Sequence, residues 1–156
     1  VRFVALLASA ALVLAALGCG SQDESTPVAC LEGSPAYEKA LAKAPGEVLL
    51  SGKTPISDCL VSNQSAGDLA RVGEAMVEAA TTLNAEARKQ NGGDAAVELG
   101  YLLGAAQAGA EDSEGIHSDL VRRLTVAARY APAEEPLSEP ILSAYREGFD
   151  AGHSGG

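Results

Sequence analysis

The chain has 156 residues, with 21 acidic against 11 basic side chains and a formal net charge of −10. A surface of that sign repels nucleic-acid phosphates, which excludes nucleic acid as a partner. The length suits one domain. With two Phe, four Tyr and no Trp, the core must come from Leu, Val, Ile and Ala, a composition that favours closely packed helices over a β-sandwich.

Residues 1–18, VRFVALLASAALVLAALG, place Arg2 ahead of an uncharged run from Phe3 to Leu17, and small residues follow. This is the layout of a secretory signal: charged region, apolar region, small-residue cleavage zone. The run is shorter than the ~20 residues a transmembrane helix needs, and acidic rather than basic residues come after it. Ala16-Leu17-Gly18-Cys19 resembles the lipobox of bacterial lipoproteins, where a dedicated peptidase cuts before a cysteine that carries diacylglycerol. The resemblance covers only residues 1–19. It implies Cys19 as the lipid attachment point and an extracytoplasmic location at a bacterial membrane, held by acyl chains that contribute about 0.8 kcal/mol per buried methylene. The alternative is ordinary signal cleavage after Ala16-x-Gly18, which leaves Cys19 as a free thiol or pairs it with another cysteine.

Lipidation of Cys19 leaves Cys30 and Cys59 as an even pair in an oxidising compartment. A bridge between them closes a loop of about 30 residues and stabilises by roughly 3.5 kcal/mol in the chain-entropy account. The organisation expected is a signal over 1–18, an acylated cysteine and flexible tether over 19–33, a single helical domain over 34–152 and a disordered tail over 153–156.

Within the domain, Ser34-Pro35 opens a short helix that stops at Pro45-Gly46. Glu47 to Ser51 reads as a brief strand or extended buried segment, followed by a loop that needs stapling. Ser65-x-x-Asp68 is similar to a capping box, and behind it Leu69, Val72, Met76, Ala79, Leu83 and Ala87 mark one face of a helix over about 66–90. Asp94 caps the next helix, to about Ala108. A third starts at Asp112 or Ser113 with Ile116, Leu120, Leu124 and Ala127 on one side. A fourth starts at Ser138-Glu139-Pro140, stacks Ile141, Leu142, Tyr145 and Phe149, and stops at Gly152. The fold class expected is all-α: a small bundle of about four helices, with an irregular, disulfide-stapled N-terminal cap region.

Each motif with chemical potential has a simpler counterpart. Ser51-Gly52-Lys53-Thr54 is similar to the end of a phosphate-binding loop, but Gly46 stands one position too far away and Pro55 follows. Gly100-x-x-x-Gly104, extended by Ala96 and Ala108, lets another backbone approach; packing inside the bundle is favoured over a homodimer face. Glu114-x-x-His117 and Asp150-x-x-His153 pair acid and imidazole at helical spacing, as carboxylate-bridged di-iron bundles do, with Glu74 and Glu78 as conceivable extra ligands. Those two glutamates lie off the apolar stripe, and His153 falls among glycines, so no metal or other cofactor is expected. A serine hydrolase with His117 as base lacks any G-x-S-x-G elbow. The acidic run Glu111-Asp112-Ser113-Glu114 lacks the alternating oxygens of a Ca²⁺ loop and reads as serving the dipole at a helix N-terminus; with His117, Glu111, Asp112 and Glu114 make up the one candidate polar cluster.

The function expected is therefore a membrane-anchored, extracytoplasmic interaction or ligand-binding module of the cell envelope, acting without catalysis. Its partners would be the membrane through the anchor, an envelope protein or a second copy, and a small apolar ligand between helices. The alternative is a metal-dependent or hydrolytic enzyme using His117 and nearby carboxylates.

Overall fold

The computed structural model describes residues 25–113, 115–129 and 136–156. It contains five α-helices: α1 (Ser34–Leu41), α2 (Ala66–Gln90), α3 (Asp94–Glu111), α4 (Ser118–Arg129) and α5 (Glu139–Gly155). A two-stranded antiparallel ribbon, β1 (Leu49–Leu50) and β2 (Thr54–Pro55), pairs Leu49 with Pro55 and Leu50 with Thr54. The architecture is broadly all-α, yet it is five helices plus a ribbon rather than four helices alone. Among the described residues no helix is long and apolar enough to cross a membrane.

The long helix α2 begins where its cap dictates: Ser65 Oγ accepts from the Asp68 backbone N–H at 3.1 Å. It ends at Asn91, left-handed at φ 52°, with the Gly92 N–H returning to the Ala87 carbonyl at 2.9 Å. Its apolar stripe is buried as the spacing requires, from Val72 through Met76, Ala79 and Leu83 to Ala87. Helix α3 is capped by Gly93 and not by the Asp94 side chain; Asp94 is its first residue and lies in the acidic first turn.

Three boundaries differ from the sequence expectation: at two of them a glycine serves packing instead of termination, and at the third a turn delays the helix. Helix α3 continues through Gly109 to Glu111 because Gly109 lies against the Ser57 backbone, where a Cβ would sit 2.9 Å from Ser57 Cα. Helix α5 continues through Gly152, so the stop expected there and the disordered tail expected over 153–156 are corrected; residues 153–155 are helical. Helix α4 begins at Ser118, after Ser113 has folded back to donate to the Ala110 carbonyl at 2.7 Å and Gly115 has turned at φ 88°. Ile116 is consequently exposed, and the buried face of α4 is Leu120, Leu124 and Ala128.

The helices alternate in direction. Gly73 of α2 faces Leu120 of α4, and Asn84 of α2 donates to the Ala127 carbonyl at 2.7 Å, so α2 and α4 run parallel. Gly100 meets Tyr145 and Phe149, Tyr101 meets Gly152, and Gly104 meets Phe149 and His153, so α3 and α5 also run parallel. Helix α3 is the hub, in contact with α1, α2, α4 and α5.

Among the described residues the α3–α5 contact is the closest between helices, and glycines create it. A Cβ at Gly100 would stand 2.8 Å from the Phe149 nitrogen, and one at Gly104 would stand 2.7 Å from the His153 nitrogen. From the other side, a Cβ at Gly148 would lie 2.7 Å from the Val97 carbonyl carbon, and one at Gly152 would lie 2.8 Å from Tyr101 Cα. The Gly100–Gly104 ridge therefore packs within the chain, against a second ridge, Gly148-x-x-x-Gly152. Such pairs bring backbones into direct contact and gain dispersion along their length.

The N-terminal cap region is held differently. Cys30 and Cys59, both fully buried, form a disulfide with Cα atoms 5.6 Å apart. The buried Tyr37 hydroxyl donates to the Cys30 carbonyl at 3.0 Å, and burial pushes its ionisation well above the ordinary phenol range. Val48, Leu50, Ile56 and Leu60 complete one continuous core with the bundle.

Candidate functional site

Cys19 and Glu114 lie outside the described residues. Of the remaining members of the expected polar cluster, Glu111 and Asp112 are exposed at the end of α3, while His117 is fully buried just before α4. The structure does not bring them together. Glu111 instead reaches His153, 3.1 Å from Oε1 to Nε2, and the His153 ring stacks on Phe149 with centroids 6.0 Å apart. Asp150 makes no ion pair with His153; its backbone carbonyl accepts from Ser154 at 2.8 Å. Glu74 and Glu78 point outward from α2. Among the described residues, no group of three His, Cys, Asp or Glu side chains converges.

His117 is tied into the fold through Gln64. The Gln64 amide nitrogen donates to the Cys59 carbonyl at 2.9 Å and contacts Thr26 Oγ1 at 3.0 Å. A carbonyl can only accept, so this fixes which end of the amide is nitrogen, and Oε1 faces His117 Nε2 at 2.7 Å. An amide oxygen can only accept, so Nε2 carries the proton. Nδ1 is then the unprotonated nitrogen; it is buried and makes no hydrogen bond among the described residues. Burial lowers the His117 pKa from its ordinary 6.5, which keeps the ring neutral. A closed-in imidazole committed to a structural amide is poorly placed to serve an external substrate as base. It joins the N-terminal segment, the disulfide and the entry to α4. Gln64 was absent from the sequence reading, since nothing in its neighbourhood of turn residues marks it as a bridge.

Besides a concavity of about 220 Å³ between α1 and the ribbon, bordered by Glu32, Lys39 and Ser51, two open concavities adjoin the long helices. One, about 580 Å³, lies at the end of the bundle where the N-terminal segment enters, bordered by Pro27, Asp58, Leu60, Val61, Asp112 and Gly156. Turns make up much of its wall, and both carboxylates are solvated. The other follows from the glycine seam. Drawn tightly onto α3, α5 makes little contact with α4, and a groove opens between them over α3. Its inner part, about 100 Å³, sets Leu103, Val121, Leu124 and Phe149 beside the polar Gln107 and Thr125. Its outer part, about 280 Å³, lies among Leu137, Leu142 and Tyr145, with Arg129 and Arg146 at the rim.

Tyr145 and Arg129 belong to both parts. The Arg129 guanidinium lies beside the Tyr145 hydroxyl and partly offsets the upward push of burial on its ionisation. Arg146 is exposed and makes no ion pair among the described residues.

No known relative decides what occupies this groove. Comparison with protein-family models, with curated proteins and with solved structures finds no match.

A concave site with hydrophobic walls and a few polar groups is the usual form of a small-molecule site, and the groove has apolar and polar lining in both its parts. Its apolar residues were legible as the stripes of two helices: Leu124 on α4, Tyr145 and Phe149 on α5. That those stripes leave a gap was not, because the gap depends on how far α5 is drawn toward α3.

Proposed function

We propose that this chain is a lipid-anchored extracytoplasmic module of the bacterial envelope that acts by binding and not by catalysis. The observation that carries the binding reading is the groove between α4 and α5, floored by Leu103 and Ala106 of α3. The envelope reading draws on the lipobox-like Ala16-Leu17-Gly18-Cys19. It is supported by a disulfide buried in the core, which forms and persists in oxidising compartments.

The first described residue, Ser25, stands six positions after Cys19. Extended backbone covers at most about 3.3–3.6 Å per residue, so a lipid on Cys19 would hold the bundle within about 20 Å of the bilayer. The end nearest the membrane would carry Pro27, Val61 and Asp112, leaving the α4–α5 groove on the flank and reachable from the side.

Both halves are tested on the full chain expressed in a bacterium that processes lipoproteins. Intact-mass analysis of the membrane fraction should show a mature N-terminus at Cys19 carrying acyl groups. An unmodified Cys19, or protein confined to the soluble fraction, removes the anchor. Solvent extraction of the purified protein should release a small apolar compound; titration with apolar probes that yields no saturable binding removes the binding reading.

A further inference from the structure

We infer that the concavity between α1 and the ribbon is a second binding site, which takes a small zwitterion of the size of a dipeptide. The ligand ammonium lies at Glu32 and its carboxylate at Lys39 and Lys43. The site is separate from the α4–α5 groove and does not depend on that groove being occupied. Three observations carry it.

The first is the arrangement of charge. Glu32, Lys39 and Lys43 are exposed, and all three border one concavity of about 220 Å³. No ion pair joins the glutamate to either lysine, and neither lysine has a polar partner among the described residues. Charges of both signs kept apart around one hollow are complementary to a molecule that carries both. A ligand with a single charge would satisfy one end and meet its own sign at the other.

The second is how the acid is held. The Ser51 hydroxyl lies 3.3 and 3.2 Å from the two oxygens of Glu32 and donates its one proton between them. The other lone pairs of the carboxylate stay open to an ammonium, which brings three donors. Glu32 stands two residues after Cys30, where the buried disulfide fixes the chain, so the carboxylate is in place before a ligand arrives.

The third is room. Between the charged groups α1 contributes only the methyls of Ala36 and Ala40, with Leu49 of β1 beside them. Glu32 precedes the first turn of α1, and the lysines lie at its last turn and just beyond. Roughly 10 Å of helix axis therefore separates the two signs. An extended dipeptide, at about 3.3–3.6 Å per residue, bridges that span once the side chains reach inward.

The test is a titration of the full chain carrying Cys19→Ser with glycylglycine at pH 7, read by methyl-detected NMR. Two blocked forms are compared: N-acetylglycylglycine keeps only the carboxylate, and glycylglycinamide only the ammonium. Saturable shifts should centre on Ala36, Ala40 and Leu49. The zwitterion should bind about threefold tighter than either blocked form, the size of effect expected for solvent-exposed charge pairs. Glu32→Gln should erase the advantage over the acetylated form and keep the advantage over the amide. Lys39→Met/Lys43→Met should do the reverse. All three residues are exposed, so the fold is not at stake. Equal affinity for the three probes, tightest binding of the acetylated form, or an advantage over it that survives Glu32→Gln overturns the zwitterion assignment. No saturable shift at those methyls, or a glycylglycine affinity that the double lysine variant leaves unaltered, overturns the site itself. Either failure leaves the α4–α5 groove untouched.

Discussion

Helix α5 carries two adjoining stripes, and they are treated in opposite ways. On one, Gly148 and Gly152 carry no side chain, and the backbone lies directly on α3. On the other, Tyr145, Phe149 and Leu142 carry large side chains, and α4 stands off across a groove. The two are one device. Because glycines let α5 sink onto α3, α5 cannot also close on α4, and the residues that would have filled a symmetric bundle core line a trough instead. An ordinary four-helix bundle distributes its packing among adjacent helices. This one concentrates it in a parallel pair joined through α4, and cleft formation follows.

The comparison can be broken most severely at the seam. Gly104→Ala or Gly148→Ala places a methyl group into backbone that has no rotamer to yield, so about 3 kcal/mol or more of stability should be lost, at the top of the overpacking range. Chemical denaturation measures this. A cost near that of an ordinary exposed helix position would show that the two backbones are not in contact.

Next in size is the cap region, where one glycine contact, Gly109 on Ser57, stands beside a covalent tie. The double variant Cys30→Ala/Cys59→Ala should lose about 3 kcal/mol. Heteronuclear spectra should show the change around Tyr37 and Leu50 while α3 and α5 keep their signals. Loss of helix signals throughout would mean that the cap organises the seam, contrary to the comparison drawn here.

The smallest effect concerns the Gln64–His117 bridge. Gln64→Ala should cost about 1–3 kcal/mol, since it strips partners from the Cys59 carbonyl and the His117 ring at once. The pH dependence has a definite sign. The folded pKa of His117 lies below 6.5, so between that value and 6.5 the unfolded chain binds the extra proton and the folded chain does not. Stability from this group is therefore full above about pH 6.5 and falls as pH drops below it. Unfolding curves at pH 7.5 and 5.5 should differ for the wild type, and the difference should shrink in His117→Phe. An unchanged slope would show that another group sets it.

Much of the fold was legible because its signals are local. The Ser65 cap and the stripe from Val72 to Ala87 fix α2 by short-range rules, and the boundaries 66–90 follow. The Cys30–Cys59 bridge followed from pairing arithmetic. The failures share one physical cause. Gly109 and Gly152 look like helix ends because glycine is the commonest stop signal, but glycine is also the residue that permits closest helix contact. Which role applies depends on whether another backbone lies opposite, and that is a tertiary fact.

His117 repeats the lesson at the site. Its spacing from Glu114 suggested a ligand, while its burial and its bond to Gln64, 53 positions away, make it structural. The groove was legible only as its separate stripes; the gap between them depends on the neighbouring glycine stripe of α5, which lies on α3.

The most direct test of the account is methyl-detected NMR of the full chain carrying Cys19→Ser, titrated with octanol. The account predicts saturable shifts at Leu103, Val121, Leu124 and Leu142, with Val48, Leu50 and Leu60 of the cap region unmoved. Shifts centred on Leu60 and Val61 at the end of the bundle, or no saturable shift at all, would contradict it.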